Sequence, residues 1–209
     1  RSSLSIETGT LKNYWKPLMS TIKEATRSLH DALEALPFNV KMFEGKHTDT
    51  ERAYYLASNR IIFDILDPHV PEGFQRSSAI DKDLGRLNHS RFGRIGEPAQ
   101  LSMGYPPMMT MGYKMYLENI CENINAHIYL NYMGFMFGGQ IMKKRYPDTS
   151  TLYEFDDIVE KRAYIRERIV EDYNAPFYQQ FVHEVKVGFK WHIAISKELH
   201  ERTAWIAVT

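Results

Sequence analysis

His30 stands in a segment of helical period, with Thr26 one turn before it and Glu34 one turn after it. A histidine so placed can bind a metal through one ring nitrogen while the other donates to a nearby carboxylate, and Glu34 is the partner within reach. It can equally be a half-buried histidine satisfied by its neighbours. Arg162 and Arg166 form a second candidate, because i, i+4 spacing turns both guanidinium groups to one helix face and suits a ligand with two carboxylates. Glu160, Glu167 and Arg168 surround them, so an ordinary solvated charged face is the alternative.

A third feature is energetic. The segment from Ala126 to Lys144 has an amphipathic helical pattern yet carries Gly134, Gly138 and Gly139 in its middle. Each interior glycine costs about 1 kcal/mol relative to alanine, so something is expected to come too close to this backbone for a β-carbon. The competing reading is that Gly138 and Gly139 end one helix and turn into the next.

The elements that must position these residues are helical throughout. The first helix is expected from Pro17 to Leu36, with Leu18, Ile22, Ala25, Leu29, Ala32 and Leu36 as its apolar stripe. The second opens at a capping box, Thr48-Asp49-Thr50-Glu51, and reaches Leu66 before Pro68. A shorter helix over Ser77 to Leu87 is followed by an irregular surface connection from His89 to Pro107, rich in glycine and proline. Helices are then expected over Met108 to Cys121, Asn125 to Lys144, Glu154 to Val170, and Pro176 to about Trp205. The pattern predicts an all-α, single-domain multi-helix bundle over residues 1–209, its core spanning about 14–205.

Composition narrows the function classes. A formal net charge of zero gives no basic footprint for nucleic acid. The single cysteine, Cys121, allows no intramolecular disulfide and reads as a small buried hydrophobe in a reducing compartment, cytoplasm or organelle stroma or matrix. No run of about 18 apolar residues offers a membrane span. The chain begins at Arg1, which leaves room for a targeting segment or anchor ahead of it. A carboxylate-bridged di-iron centre needs Glu-x-x-His pairs on core helices, and this spacing occurs only at Glu44 to His47, in a loop. Serine-hydrolase, phosphate-loop and His-Glu-x-x-His motifs are missing, as are flavin and nicotinamide fingerprints.

Two segments together carry a resemblance. Lys23 to Phe38 (KEATRSLHDALEALPF) and Asn131 to Lys144 (NYMGFMFGGQIMKK) resemble the heme oxygenase family, and the order and spacing of the other helices agree over about Leu18 to Leu199. The first segment is similar to the proximal helix, A-T-x-x-x-H. The resemblance therefore implies His30 as axial iron ligand, with Thr26, Glu34 and Phe38 close to the heme. The second is similar to the distal helix, G-D-x-S-G-G-Q, which in the family kinks at its glycines and lies flat over the heme. It implies distal roles for Gly134, Gly138, Gly139 and Asn131, and heme contacts for Tyr129 and Phe135. Arg162 and Arg166 align with the basic residues that hold the propionates. Phe189 and His192 fall where the final helix lines or backs the pocket.

The sequence departs from the family motif at the residues that manage protons. Phe135 replaces the distal aspartate, Phe137 the distal serine, and Asn131 stands where many members carry arginine. A phenyl ring can neither accept a hydrogen bond nor order water. Proton delivery must then be rebuilt from Asn131, Tyr132 or Tyr129, and Phe135→Asp is expected to speed turnover where proton supply limits it. The implied activity is opening of heme to biliverdin, CO and ferrous iron with O2 and an external reductant such as ferredoxin or a flavoprotein reductase. The alternative is a heme-binding or scaffold protein on the same fold.

Overall fold

The computed structural model describes residues 22–91, 106–171 and 175–206, and within them the chain is a bundle of helices without strands. Helix α1 covers residues 22–34, α2 Pro37–Phe43, α3 Asp49–Leu66, α4 Ser77–Arg91 and α5 Met108–Asn119. They are followed by α6 Ile124–Phe137, α7 Gly139–Arg145, α8 Ile158–Glu171 and α9 Ala175–Ile206. The expected helix start at Pro17 and residues 92–105 of the expected irregular connection lie outside the described residues.

Local chemistry accounts for most boundaries. The capping box of α3 is formed: the Thr48 hydroxyl accepts from the Glu51 N–H while the Glu51 carboxylate accepts from the Thr48 N–H. Pro37 acts differently from expectation. It does not simply end the first helix but opens α2 at a first-turn position, where its missing N–H costs nothing. Leu36 before it is extended, with φ −66° and ψ 139°, as a residue preceding proline prefers. Helix α4 runs past the expected Leu87 to Arg91, and short 3-10 turns at Pro147–Thr149 and Thr151–Tyr153 delay α8 to Ile158.

The 32-residue α9 is the spine of the bundle, packing against α2, α3, α5 and α6. Ile22, Phe38, Leu56, Phe63, Leu66, Tyr132, Tyr153, Val185 and Leu199 form the fully enclosed part of one continuous core. The Asn39 side chain donates to the Leu33 carbonyl at 2.7 Å and to the Ser196 hydroxyl at 3.3 Å, which ties α1 and α2 to α9. No described helix is long and apolar enough to cross a membrane.

The turn between α2 and α3 contains a half-buried histidine that predicts a pH dependence. His47 lies against Phe38, ring centroids 4.3 Å apart, and its Nε2 bonds the Phe38 carbonyl at 2.9 Å. Burial, reinforced by the Arg52 and Lys41 charges, pushes its pKa down to about 4, against the opposing pull of the carbonyl bond and Glu51. The unfolded chain therefore binds a proton that the native state refuses. The stability contribution of His47 is complete above pH 6.5 and is lost as pH falls toward 4, by on the order of 3 kcal/mol. Urea midpoints across this window should show a steeper loss for the native protein than for His47→Gln. Equal slopes would remove His47 as the cause.

Candidate functional site

His30 is presented to solvent rather than packed away. Its side chain is 53% exposed, with the Glu34 carboxylate 3.6 Å from Nε2 and the Asp31 carboxylate 3.9 Å from Nδ1, both beyond hydrogen-bond range. One face of the imidazole is held edge-on by Phe189 of α9, at 5.9 Å between centroids. Thr26, one turn earlier, is buried, and its hydroxyl donates to the Ile22 carbonyl at 2.8 Å, so its polar atom is spent inside α1. Phe38 is also fully buried and faces His47.

The glycine-rich segment neither reverses nor continues without interruption. Gly138 ends α6 with helical angles, φ −63° and ψ −35°, and its N–H donates to the Gly134 carbonyl at 2.8 Å. Met142 N–H returns to the Gly138 carbonyl at 3.3 Å, so α7 continues in nearly the same sense after a local break. The three glycines have different reasons to be there. A β-carbon on Gly139 would lie 2.4 Å from the Tyr153 ring, so its close partner belongs to the protein itself. One on Gly134 would meet nothing within 4 Å, and this exposed position fronts open space.

Phe135 points into the core rather than into that space. It is 8% exposed and packs on Phe63 and Tyr153, at 4.9 and 5.3 Å between centroids. Phe137 is instead half exposed beneath Arg162, whose guanidinium lies 3.8 Å from the ring centroid and donates to the Met136 carbonyl. Burial and then the Arg166 charge lower the Arg162 pKa, and its Nε is buried without a partner among the described residues. Tyr129 packs on Phe181 at 5.8 Å, its phenol pushed up by burial against the opposing charge of Arg166. Helix α8 thus sets its two arginines along α6.

Sequence reasoning missed the polar system beneath the site. Asn131 is buried, donates to the His127 carbonyl at 2.8 Å, and accepts from His192 Nε2 at 3.0 Å. His127, fully buried, bonds the Tyr113 hydroxyl through Nδ1 at 2.8 Å and the Glu184 carboxylate through Nε2 at 2.9 Å. The available signal was the i, i+4 pair His127 and Asn131 on the distal segment. Gly188 permits the approach of α9, since a β-carbon there would sit 2.5 Å from Leu130 Cδ2 and 3.1 Å from His127 Nδ1. Cys121 brings its sulfur within 4.8 Å of the His127 and Glu184 ligand atoms. Both imidazole nitrogens are already bonded, however, and burial pushes the thiol up to about 11, so the group is a polar pin between helices.

Helix α9 brings the halves of the site together. Phe189 and His192, one turn apart, meet His30 of α1 and Asn131 of α6 respectively. Asn131 lies one turn before the open Gly134.

The chain belongs to the heme oxygenase family, whose sequence model matches residues 16–175. Its fold is that of solved heme oxygenases. Heme oxygenase-1 of the cyanobacterium Synechocystis sp. PCC6803, solved in complex with heme, is 16% identical with a TM-score of 0.74, covering 90% of this chain and 95% of that one. The heme oxygenase of Leptospira interrogans is 21% identical with a TM-score of 0.73, covering 86% and 98%. Heme oxygenase-2 of Synechocystis, solved with heme and NO, is 17% identical with a TM-score of 0.75, covering 87% and 84%. No curated protein matches the sequence.

Proposed function

We propose that this protein is a heme oxygenase that opens heme to biliverdin, CO and ferrous iron, using O2 and electrons from a separate donor. The observation that carries the reading is His30, half exposed on α1 and meeting α9 one turn from the residue that holds Asn131. An imidazole kept accessible on α1, together with the open position of Gly134 on α6, fits a heme iron ligand.

The residues present fit the group. His30 would hold the iron, Phe189 would fix the imidazole plane, and the bare Gly134 would let a flat ring approach α6. Arg162 and Arg166 would meet the propionates with charge-assisted hydrogen bonds, the Nε of Arg162 having no partner among the described residues. When bound, heme supplies both the redox-active iron and the carbon skeleton that is oxidised. Electrons come from a ferredoxin or a flavoprotein reductase, because the chain carries no nicotinamide or flavin fingerprint.

A second reading, heme binding without ring opening, draws support from Phe135, which fills with hydrocarbon the position where the family carries its proton-managing aspartate. The test mixes purified protein with hemin, then adds ascorbate or a ferredoxin system in air with catalase. Loss of the Soret band with growth of a biliverdin band is the expected result. A Soret band that forms and never converts would leave only the second reading, and no spectral change on adding hemin would sink both.

A further inference from the structure

We propose that His192 is a positioning residue on the distal side: its Nδ1 offers a fixed hydrogen-bond acceptor that anchors a water molecule beside bound heme. The role rests on the heme oxygenase reading and assigns to His192 a task that Phe135 cannot perform.

The direction of one hydrogen-bond chain fixes the chemistry. Glu184 is 2% exposed. Burial works to raise its pKa, but the hydrogen bonds from His127 and Tyr116 outweigh it and hold the carboxyl below its usual range. An ionised carboxylate only accepts, so His127 carries its proton on Nε2 and bonds Glu184 at 2.9 Å. In the neutral ring Nδ1 is the remaining lone pair and accepts the Tyr113 O–H at 2.8 Å. The Tyr113 oxygen is left to accept from Asn131 Nδ2, at 3.4 Å, while the same amide donates to the His127 carbonyl at 2.8 Å. With its nitrogen spoken for, Asn131 turns Oδ1 to His192 and accepts from Nε2 at 3.0 Å. Every donor points toward Glu184, so the last member, His192, must keep a lone pair on Nδ1.

Location and charge make that lone pair useful. His192 is partly exposed, and its Nδ1 makes no hydrogen bond among the described residues and is not sealed in the core. It lies one turn beyond Phe189, the ring that touches His30, and it grips the residue one turn before Gly134. Burial pushes its pKa down to about 4, so it remains a neutral acceptor at pH 7. On α6, Tyr132 is already committed, since it donates its hydroxyl to Asp67 at 2.6 Å. A water donating one O–H to His192 keeps its other O–H for whatever occupies the distal face.

The test has two arms. Nitrogen NMR of the 15N-histidine protein without heme, at pH 7, should show His192 as the neutral Nε2–H tautomer; an Nδ1–H tautomer or a cation overturns the proposal, and this arm needs no variant. In the second arm, carbon monoxide on the reduced, hemin-loaded protein reports the distal hydrogen bond. Wild type and H192Q, which retains a donor and an acceptor, should show a lower CO stretching frequency than H192F. H192F should also form biliverdin about 10²-fold more slowly, with hemin affinity unchanged. An identical CO frequency in wild type and H192F overturns the proposal, as does a loss confined to hemin affinity or thermal midpoint. A wild-type protein that gives no hemin spectrum removes the heme reading and this role with it, an outcome told apart because the hemin titration comes first.

Discussion

His30→Ala should abolish the histidine-ligated hemin spectrum and cut turnover by more than the roughly 100-fold that losing an outer partner of a metal-bound histidine costs. The expectation is sharp because the side chain makes few commitments elsewhere. It is 53% exposed, its two carboxylate neighbours lie beyond hydrogen-bond distance, and its one ring contact among the described residues is the edge-on Phe189. Alanine is also the best helix former, so α1 should be kept or slightly strengthened. The urea midpoint of the heme-free protein should therefore stay within about 0.5 kcal/mol of wild type, the usual range for an uncommitted surface position. Absorption spectra of the hemin-loaded variant separate ligation from stability. A variant that retains the wild-type spectrum and turnover would show that another residue holds the iron.

Phe135→Asp should destabilise the protein by about 3–5 kcal/mol and should not speed turnover, although from the family motif alone it looks like a repair. The ring is 8% exposed and is clasped by Phe63 and Tyr153. Aspartate would leave a cavity and place a carboxyl where no free donor is at hand. Tyr132 already donates its hydroxyl to Asp67, and the Tyr153 hydroxyl accepts from Arg52 and donates to Tyr55. The new carboxyl would remain protonated at neutral pH, because desolvation penalises its charged form. Against a typical total of about 5–15 kcal/mol, the loss takes a large share of the stability. Urea unfolding of the heme-free variant and biliverdin formation at saturating hemin check the two halves. A stable variant with faster turnover would show that one carboxylate suffices to rebuild the distal side.

Much of the site was legible because it rests on local rules. The capping box at Thr48, the helical periods and the i, i+4 arginines each depend on residues within one turn of one another, and a helix fixes such neighbours wherever it lies. His30 and the glycine segment were visible as a pair only through their resemblance to a family. Helical spacing alone left both open to ordinary structural readings.

Contacts between helices distant in sequence were not legible. The reason for Gly139 is Tyr153, fourteen residues on, and the reason for Gly188 is a crossing with Leu130 and His127. Neither partner announces itself by spacing. His192 could be placed near the pocket from its segment, but its tautomer and charge follow from a chain running through α5, α6 and α9 to Glu184.

The sequence by itself determined that the protein is helical and where most helices begin. Only the tertiary structure decided that Phe135 faces the core and that Asn131 is hydrogen-bonded to His192. Secondary structure answers to neighbours along the chain. The direction of a hydrogen bond and the burial of a ring are set by whatever the other helices bring against them.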